Sequence, residues 1–161
     1  MAPSPRRILG IDPGSLRTGF GIVDVRGNAV TPVAWGVIRT DGDDSFPDRL
    51  HTIHKELSEV IRLHRPTEAA VEKVFLAKNA ASALKLGQAR GAAIVTCGAH
   101  GLTVREYSAR EIKAAATGYG AAPKEQVSGM VARLLGIREA VPEDASDALA
   151  TAFCRAVTRD L

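Results

Sequence analysis

At 161 residues, 45% hydrophobic and 24% charged, the chain has the length and balance of one folded domain, which excludes a disordered tail. Its formal charge of +3 permits a nucleic-acid partner without demanding one. Nothing approaches the roughly 18 consecutive apolar residues of a membrane span, and Cys97 and Cys154 are too few and too far apart for a zinc cluster or a disulfide framework.

Those two cysteines fall in apolar helical stretches and read as buried free thiols, which fits a reducing, cytoplasmic compartment. The charged start, Met1-Ala2-Pro3-Ser4-Pro5-Arg6-Arg7, lacks the apolar stretch of a signal peptide. Residues 1–6 read as a disordered extension of a single domain spanning 1–161.

The first forty residues predict three strands joined by short turns, and so antiparallel neighbours: Ile8–Ile11, Thr18–Val25 and Val33–Ile38. Phe46-Pro47-Asp48 opens a helix whose apolar residues Leu50, Ile53, Leu57, Val60 and Ile61 keep helical spacing until Arg65-Pro66 stops it. Ala69–Phe75 is a fourth strand. A strand-helix-strand unit of this kind makes a right-handed parallel crossover. If strand four lies parallel beside strand one, Asp12 and Glu72 leave the sheet at the same end. An Ala-rich helix from Ala80 to Cys97 and a strand from Leu102 to Tyr107 follow. Ser108, with Glu111 three residues on, signals a capping box opening a short helix to Thr117. After the loop Gly118–Pro123, Val127, Met130, Val131, Leu134 and Leu135 mark an amphipathic helix ending at Gly136. A last helix starts near Asp144, with Leu149, Ala152, Phe153, Ala156 and Val157 on its apolar face. The fold class is α/β: a mixed five-stranded sheet, three antiparallel strands followed by parallel crossovers, flanked by helices.

Four acids stand out against this frame. Asp12 ends the first strand, Glu72 follows the apolar Ala69-Ala70-Val71, and Asp144 and Asp147 open the last helix. Three residues apart on a helix, the last two have Cβ atoms roughly 5–6 Å from each other. Such oxygen ligands suit a hard cation such as Mg²⁺. Each has a plainer reading. Asp before Pro-Gly is common turn chemistry. Asp144 fits a helix N-cap, and acids in a first turn suit the helix dipole. A helical wheel also sets Asp144 and Asp147 away from the Leu149/Phe153 stripe, as solvated side chains would be. Glu72 is harder to explain without a cation, because its stretch is otherwise suited to burial and Lys73 points to the opposite face.

The segments Ile11-Asp12-Pro13-Gly14-Ser15, Val71–Ala80, Ala83–Gly91 and Asp144–Ala150 together resemble the RuvC family, the bacterial Holliday-junction resolvases of ribonuclease-H-like fold. The resemblance runs in order from about Arg7 to Val157. Its Ala83–Gly91 block is the specific part, since other ribonuclease-H-like proteins share the Asp-Pro-Gly start. It implies a crossover junction endodeoxyribonuclease of DNA recombination and repair. Asp12, Glu72, Asp144 and Asp147 would hold two Mg²⁺ ions, with Mn²⁺ as a substitute, and paired symmetric nicks would leave a 5′ phosphate and a 3′ hydroxyl.

By the same resemblance Phe75 would stack on an unpaired base at the crossover, although its apolar neighbours Val71 and Val74 equally suit a core residue. Lys113 and Lys124, flanking the Gly118–Pro123 loop, would contact phosphate near the cut, and Lys78 would add a backbone contact. Arg105, Arg110, Arg133 and Arg138 are candidates for extending a basic face, but the sequence does not aim them. The implied partners are four-way junction DNA, a second copy of the chain, and junction-binding and branch-migration proteins of the RuvA and RuvB type, with no membrane. The small-residue helix Ala80–Cys97 would suit close packing in a homodimer.

The competing readings are another ribonuclease-H-like nuclease (YqgF-type, acting on RNA or branched DNA), a non-catalytic junction-binding module, and an actin-like ATPase. The first should lack the Ala83–Gly91 block. The second would aim four carboxylates at a polyanion. The third needs two such domains, and neither G-x-x-x-x-G-K-[ST] nor G-x-G-x-x-G is present.

Overall fold

A computed structural model describes residues 4–74 and 79–160. The elements run β1 (Arg6–Asp12), β2 (Arg17–Arg26), β3 (Ala29–Arg39), α1 (Phe46–His64), β4 (Glu68–Glu72), α2 (Ala80–Ala99), β5 (Thr103–Tyr107), α3 (Ala109–Thr117), α4 (Lys124–Leu135) and α5 (Glu143–Val157). The strands form one sheet in the order β3-β2-β1-β4-β5. β1, β2 and β3 pair antiparallel, and β4 and β5 join in parallel, so the expected mixed sheet forms.

Alternation along the strands sorts the side chains onto two faces. Leu9, Ile11, Ile22, Ala69 and Val71 pack with Leu57 and Ile61 of α1 and Ala93 and Cys97 of α2. Ile8, Val23, Val25 and Ala70 face Leu149 and Phe153 of α5 and, beyond them, α3 and α4. Leu9, Ile11 and Leu57 lose all their solvent exposure, and each such side chain contributes about 1.5–3 kcal/mol by burial. Cys97 and Cys154 are buried free thiols, as expected; burial pushes them up to about 12 and about 11.

Several boundaries differ from expectation. Arg6 is not part of a disordered extension: it opens β1 opposite Val25, and its Nε donates to Glu68 Oε1 at 2.8 Å. β3 begins at Ala29, ahead of Pro32. A register shift opposite Ile22/Val23 and the edge position of β3 let proline sit in the strand. β4 stops at Glu72, and Val74 beyond it is exposed. The capping box forms as read, with Ser108 Oγ accepting from Glu111 N at 3.1 Å and Glu111 Oε2 accepting from Ser108 N at 2.6 Å.

Gly10, Gly19 and Gly21 bring α5 onto the sheet. A Cβ on Gly10 would strike the Ala148 carbonyl and approach Ala152 N to 2.7 Å, and one on Gly19 would strike the Asp144 carbonyl. These obstacles are helix backbone and cannot turn aside. Gly10→Val is therefore expected to destabilise by about 3 kcal/mol, lowering the melting temperature by about 6–12 °C. A thermal melt showing no loss would mean that α5 does not lie against β1.

Candidate active site

In the parallel pairing of β1 with β4, Ile11 lies opposite Val71. Both strands run toward the same end of the sheet, so the next residues, Asp12 and Glu72, leave it side by side. By alternation they share the face of Ile8 and Ala70, which is the α5 face. Gly19 pairs with Asp12, and its missing side chain admits the first turn of α5. That turn carries Asp144, and Asp147 follows at the start of the next. Three segments remote in sequence thus deliver four carboxylates to one end of the sheet.

The acids lie close enough to act on one another. Asp12 is pushed up to about 7, first by burial and then by Asp147, Asp144 and Glu72, with Lys124 opposing. Burial and Asp147 raise Glu72, against Lys113 and Lys124. Asp147 is raised chiefly by burial, with Lys124 pulling the other way. Negative charge is concentrated in a partly desolvated place and incompletely balanced, which is costly unless a cation joins it.

Lys124, first residue of α4, supplies part of that balance. Its Nζ lies 2.5 Å from Glu143 Oε1 and 3.1 Å from Asp147 Oδ2. The pairing with Glu143 is the main cause of its raised pKa. Lys113 on α3 and Lys124 line a cleft of about 240 Å³ with Glu72, Asp147 and Thr151. A larger groove of about 480 Å³ adjoins it, sharing Lys124, Ser146 and Asp147 and lined further by Glu143.

Asp144 does lie in the first turn of α5, where the helix dipole favours an acid, but the other plainer readings of the α5 acids do not hold. Pro142 occupies the N-cap, so Asp144 caps nothing. Nor are Asp144 and Asp147 solvated: both are half-buried. The helical wheel misleads because α5 lacks a solvent face over much of its length. Residues 148–155 are all buried, between the sheet on one side and α3 and α4 on the other. Among the described residues, no three acid, histidine or cysteine side chains converge as the ligands of one ion would. The acids are within repelling range without forming a closed cage. An all-oxygen, net-negative set of this kind still fits a hard divalent cation.

Several positioning contacts were not foreseen. Thr18 Oγ1 donates to Gly14 O at 2.9 Å, and Thr40 Oγ1 donates to Ser15 O at 2.5 Å, tying down the Asp12-Pro-Gly turn. Arg90 Nε donates to Glu72 O at 3.2 Å and its Nη2 to Glu106 Oε2 at 2.6 Å, fixing the end of β4. The available signal for Arg90 was an arginine one position after Ala89, on the buried side of an otherwise Ala-rich helix. Phe75 and Lys78 lie outside the described residues. Arg105 is drawn away, its Nη2 3.7 Å from Asp160 in a network with Arg155 and Glu68 at the other end of the sheet.

Known proteins are similar to this chain in sequence and fold. A family model described as crossover junction endodeoxyribonuclease RuvC matches residues 8–155. A protein of that name from Coxiella burnetii is 55% identical over 159 residues, covering 98% of this chain and 92% of its own. One from Geobacter sulfurreducens is 56% identical over 150 residues, covering 93% and 92%. Among solved structures, Thermus thermophilus RuvC in complex with a Holliday junction substrate superposes with a TM-score of 0.89 at 35% identity, over 94% of this chain and 93% of that one.

Proposed function

The chain belongs to the RuvC family of crossover junction endodeoxyribonucleases, and from that premise we propose that it resolves four-way DNA junctions by paired symmetric nicks, acting in recombination and repair. The observation that carries this reading is the meeting of Asp12, Glu72, Asp144 and Asp147 at one end of the sheet. Nucleases of this family depend in general on divalent metal. Here Asp12, Glu72, Asp144 and Asp147 would hold two Mg²⁺ ions, for which Mn²⁺ could substitute. When bound, the metals supply an activated water and stabilise the leaving 3′ oxygen in an in-line displacement at phosphorus.

The chain's own residues do the rest. The sheet end and α5 hold the acids in a partly desolvated place, where each charge acts more strongly than in water. Lys113 and Lys124 contact phosphate beside the cut as point charges. Phe75 and Lys78 complete the junction contacts, by stacking and by backbone charge respectively. A four-way junction has near two-fold symmetry, and two matched cuts need two sites related by such an axis, which a C2 homodimer supplies. On α2, Leu84 and Val95 are exposed, and Gly87 and Gly91 have open space before them, as a face pairing with a second copy requires. Proteins of the RuvA and RuvB type would deliver the junction.

The test is cleavage of a labelled mobile four-way junction in Mg²⁺, with linear duplex and an RNA hairpin as controls. Paired nicks confined to the junction are the expected result. Tight binding without cuts in either Mg²⁺ or Mn²⁺ would make the protein a binding module. Cuts in the RNA would move it to the YqgF-type reading.

A further inference from the structure

At the end of the sheet that carries Asp12, β2 begins with Arg17 and β3 ends with Arg39, and the two are direct cross-strand partners. Both lie on the α5 face, in step with Gly19 and Val37, and both are exposed. Like charges directly opposite on paired strands are destabilising. Among the described residues neither arginine makes a salt bridge or a side-chain hydrogen bond. Glu143, on the α5 turn that this face carries, is already paired with Lys124. The two arginines thus stand side by side without a direct partner at the rim of the acidic site.

The pair is also rigidly placed. Thr40 follows Arg39, and its N donates to Leu16 O at 3.0 Å while its hydroxyl donates to Ser15 O. Thr18 follows Arg17 and is bonded back to Gly14. The turn leaving Asp12 and the ends of both arginine strands are thus stitched into one unit. Strand spacing puts the Cα of Arg17 and Arg39 roughly 8 and 12 Å from that of Asp12. That separation is right for phosphates neighbouring the one to be cut, given the reach of an arginine. Lys113 stands on the Glu72 side of the acids, and the arginines stand on the other side, on β2 and β3.

We infer that Arg17 and Arg39 form a two-arginine grip on DNA backbone phosphates flanking the cut, on the β3 side of the site. The assignment rests on the nuclease reading above. Guanidinium groups suit phosphate oxygens through paired N–H donors, and bound phosphate relieves the cross-strand repulsion. The contact reads no sequence and positions the strand.

The test uses the full chain carrying Asp12→Asn, so that junction is bound and not consumed, with and without Arg17→Gln/Arg39→Gln. Junction affinity is measured by fluorescence anisotropy in Mg²⁺ between 50 and 200 mM salt. Loss of two phosphate contacts lowers the log–log salt slope by about 1.8, so the parent's advantage shrinks about tenfold across that range. Arg17→Lys/Arg39→Lys restores the slope, and the glutamine pair leaves the melting temperature unchanged or higher. An unchanged slope in a parent that binds junction would overturn the grip alone. A fall in melting temperature with the slope intact would make the pair structural. A parent that binds no junction would sink both this inference and the resolvase reading.

Discussion

Asp12→Asn is expected to reduce junction cleavage by about 10³-fold or more while making the metal-free protein more stable. The first effect follows from the position of Asp12 at the centre of the cluster, where it answers to Glu72, Asp144 and Asp147 together. Losing one charged ligand from a metal clamp removes several kcal/mol of transition-state stabilisation, and about 4 kcal/mol is a thousandfold. The second effect follows from its titration. Burial and three neighbouring acids raise its pKa from 3.8 to about 7 in the folded protein. The folded state therefore prefers the protonated form. The stability this group contributes is fully present below 3.8, is lost as the pH rises to about 7, and then stays lost. Asparagine mimics the protonated acid at every pH. In the presence of EDTA the variant should melt above wild type at about pH 8, with the difference closing toward acid. Added Mg²⁺ should reverse the order, because only wild type gains the full binding energy. A variant that cleaves within about tenfold of wild type, or melts below it in EDTA at about pH 8, would remove Asp12 from the centre of the site.

Much of this site was legible in the sequence because it depends on topology. The strand-helix-strand unit β3-α1-β4 implied a parallel crossover, and once β4 pairs in parallel with β1, as it does, the residues after Ile11 and Val71 leave the sheet together. Local patterns served equally well where the physics was local, as in the Ser108 capping box. They failed where tertiary packing decides. The wheel for α5 assumed one buried stripe, whereas α5 is enclosed by the sheet, α3 and α4, and so Asp144 and Asp147 are half-buried. The sequence pattern starts the third strand only at Val33, whereas it begins at Ala29, because a lone strand cannot show that it will lie at an edge where proline is tolerated. The pairing of Lys124 with Glu143, 19 residues apart, and of Arg90 with the Glu72 carbonyl depend on how helices meet. No periodicity encodes either contact. The roles of Phe75 and Lys78 lie outside the described residues and are carried by resemblance alone.

Lys124→Met should separate metal binding from cleavage. In the protein as it stands, the ammonium group of Lys124 bridges Glu143 and Asp147 and lowers the charge felt at Asp12 and Glu72. It partly neutralises the same carboxylates that a divalent ion would need. Taking it away leaves the cluster more negative, so Mg²⁺ should bind the DNA-free protein about tenfold more tightly, a change of about 1.4 kcal/mol. Cleavage should nevertheless fall by about 10²-fold, the usual loss when one preorganised donor to developing charge is removed. Lys124→Arg should keep much of the phosphate contact but fit the Glu143–Asp147 bridge less well, giving an intermediate rate. Titration calorimetry of Mg²⁺ and single-turnover cleavage of a four-way junction, on the same preparations, decide the matter. If both metal affinity and cleavage fall together, Lys124 is a structural brace for the start of α5. If cleavage stays at the wild-type rate, the lysine takes no part in handling the scissile phosphate, and Lys113 is left as the basic group on that side of the acids.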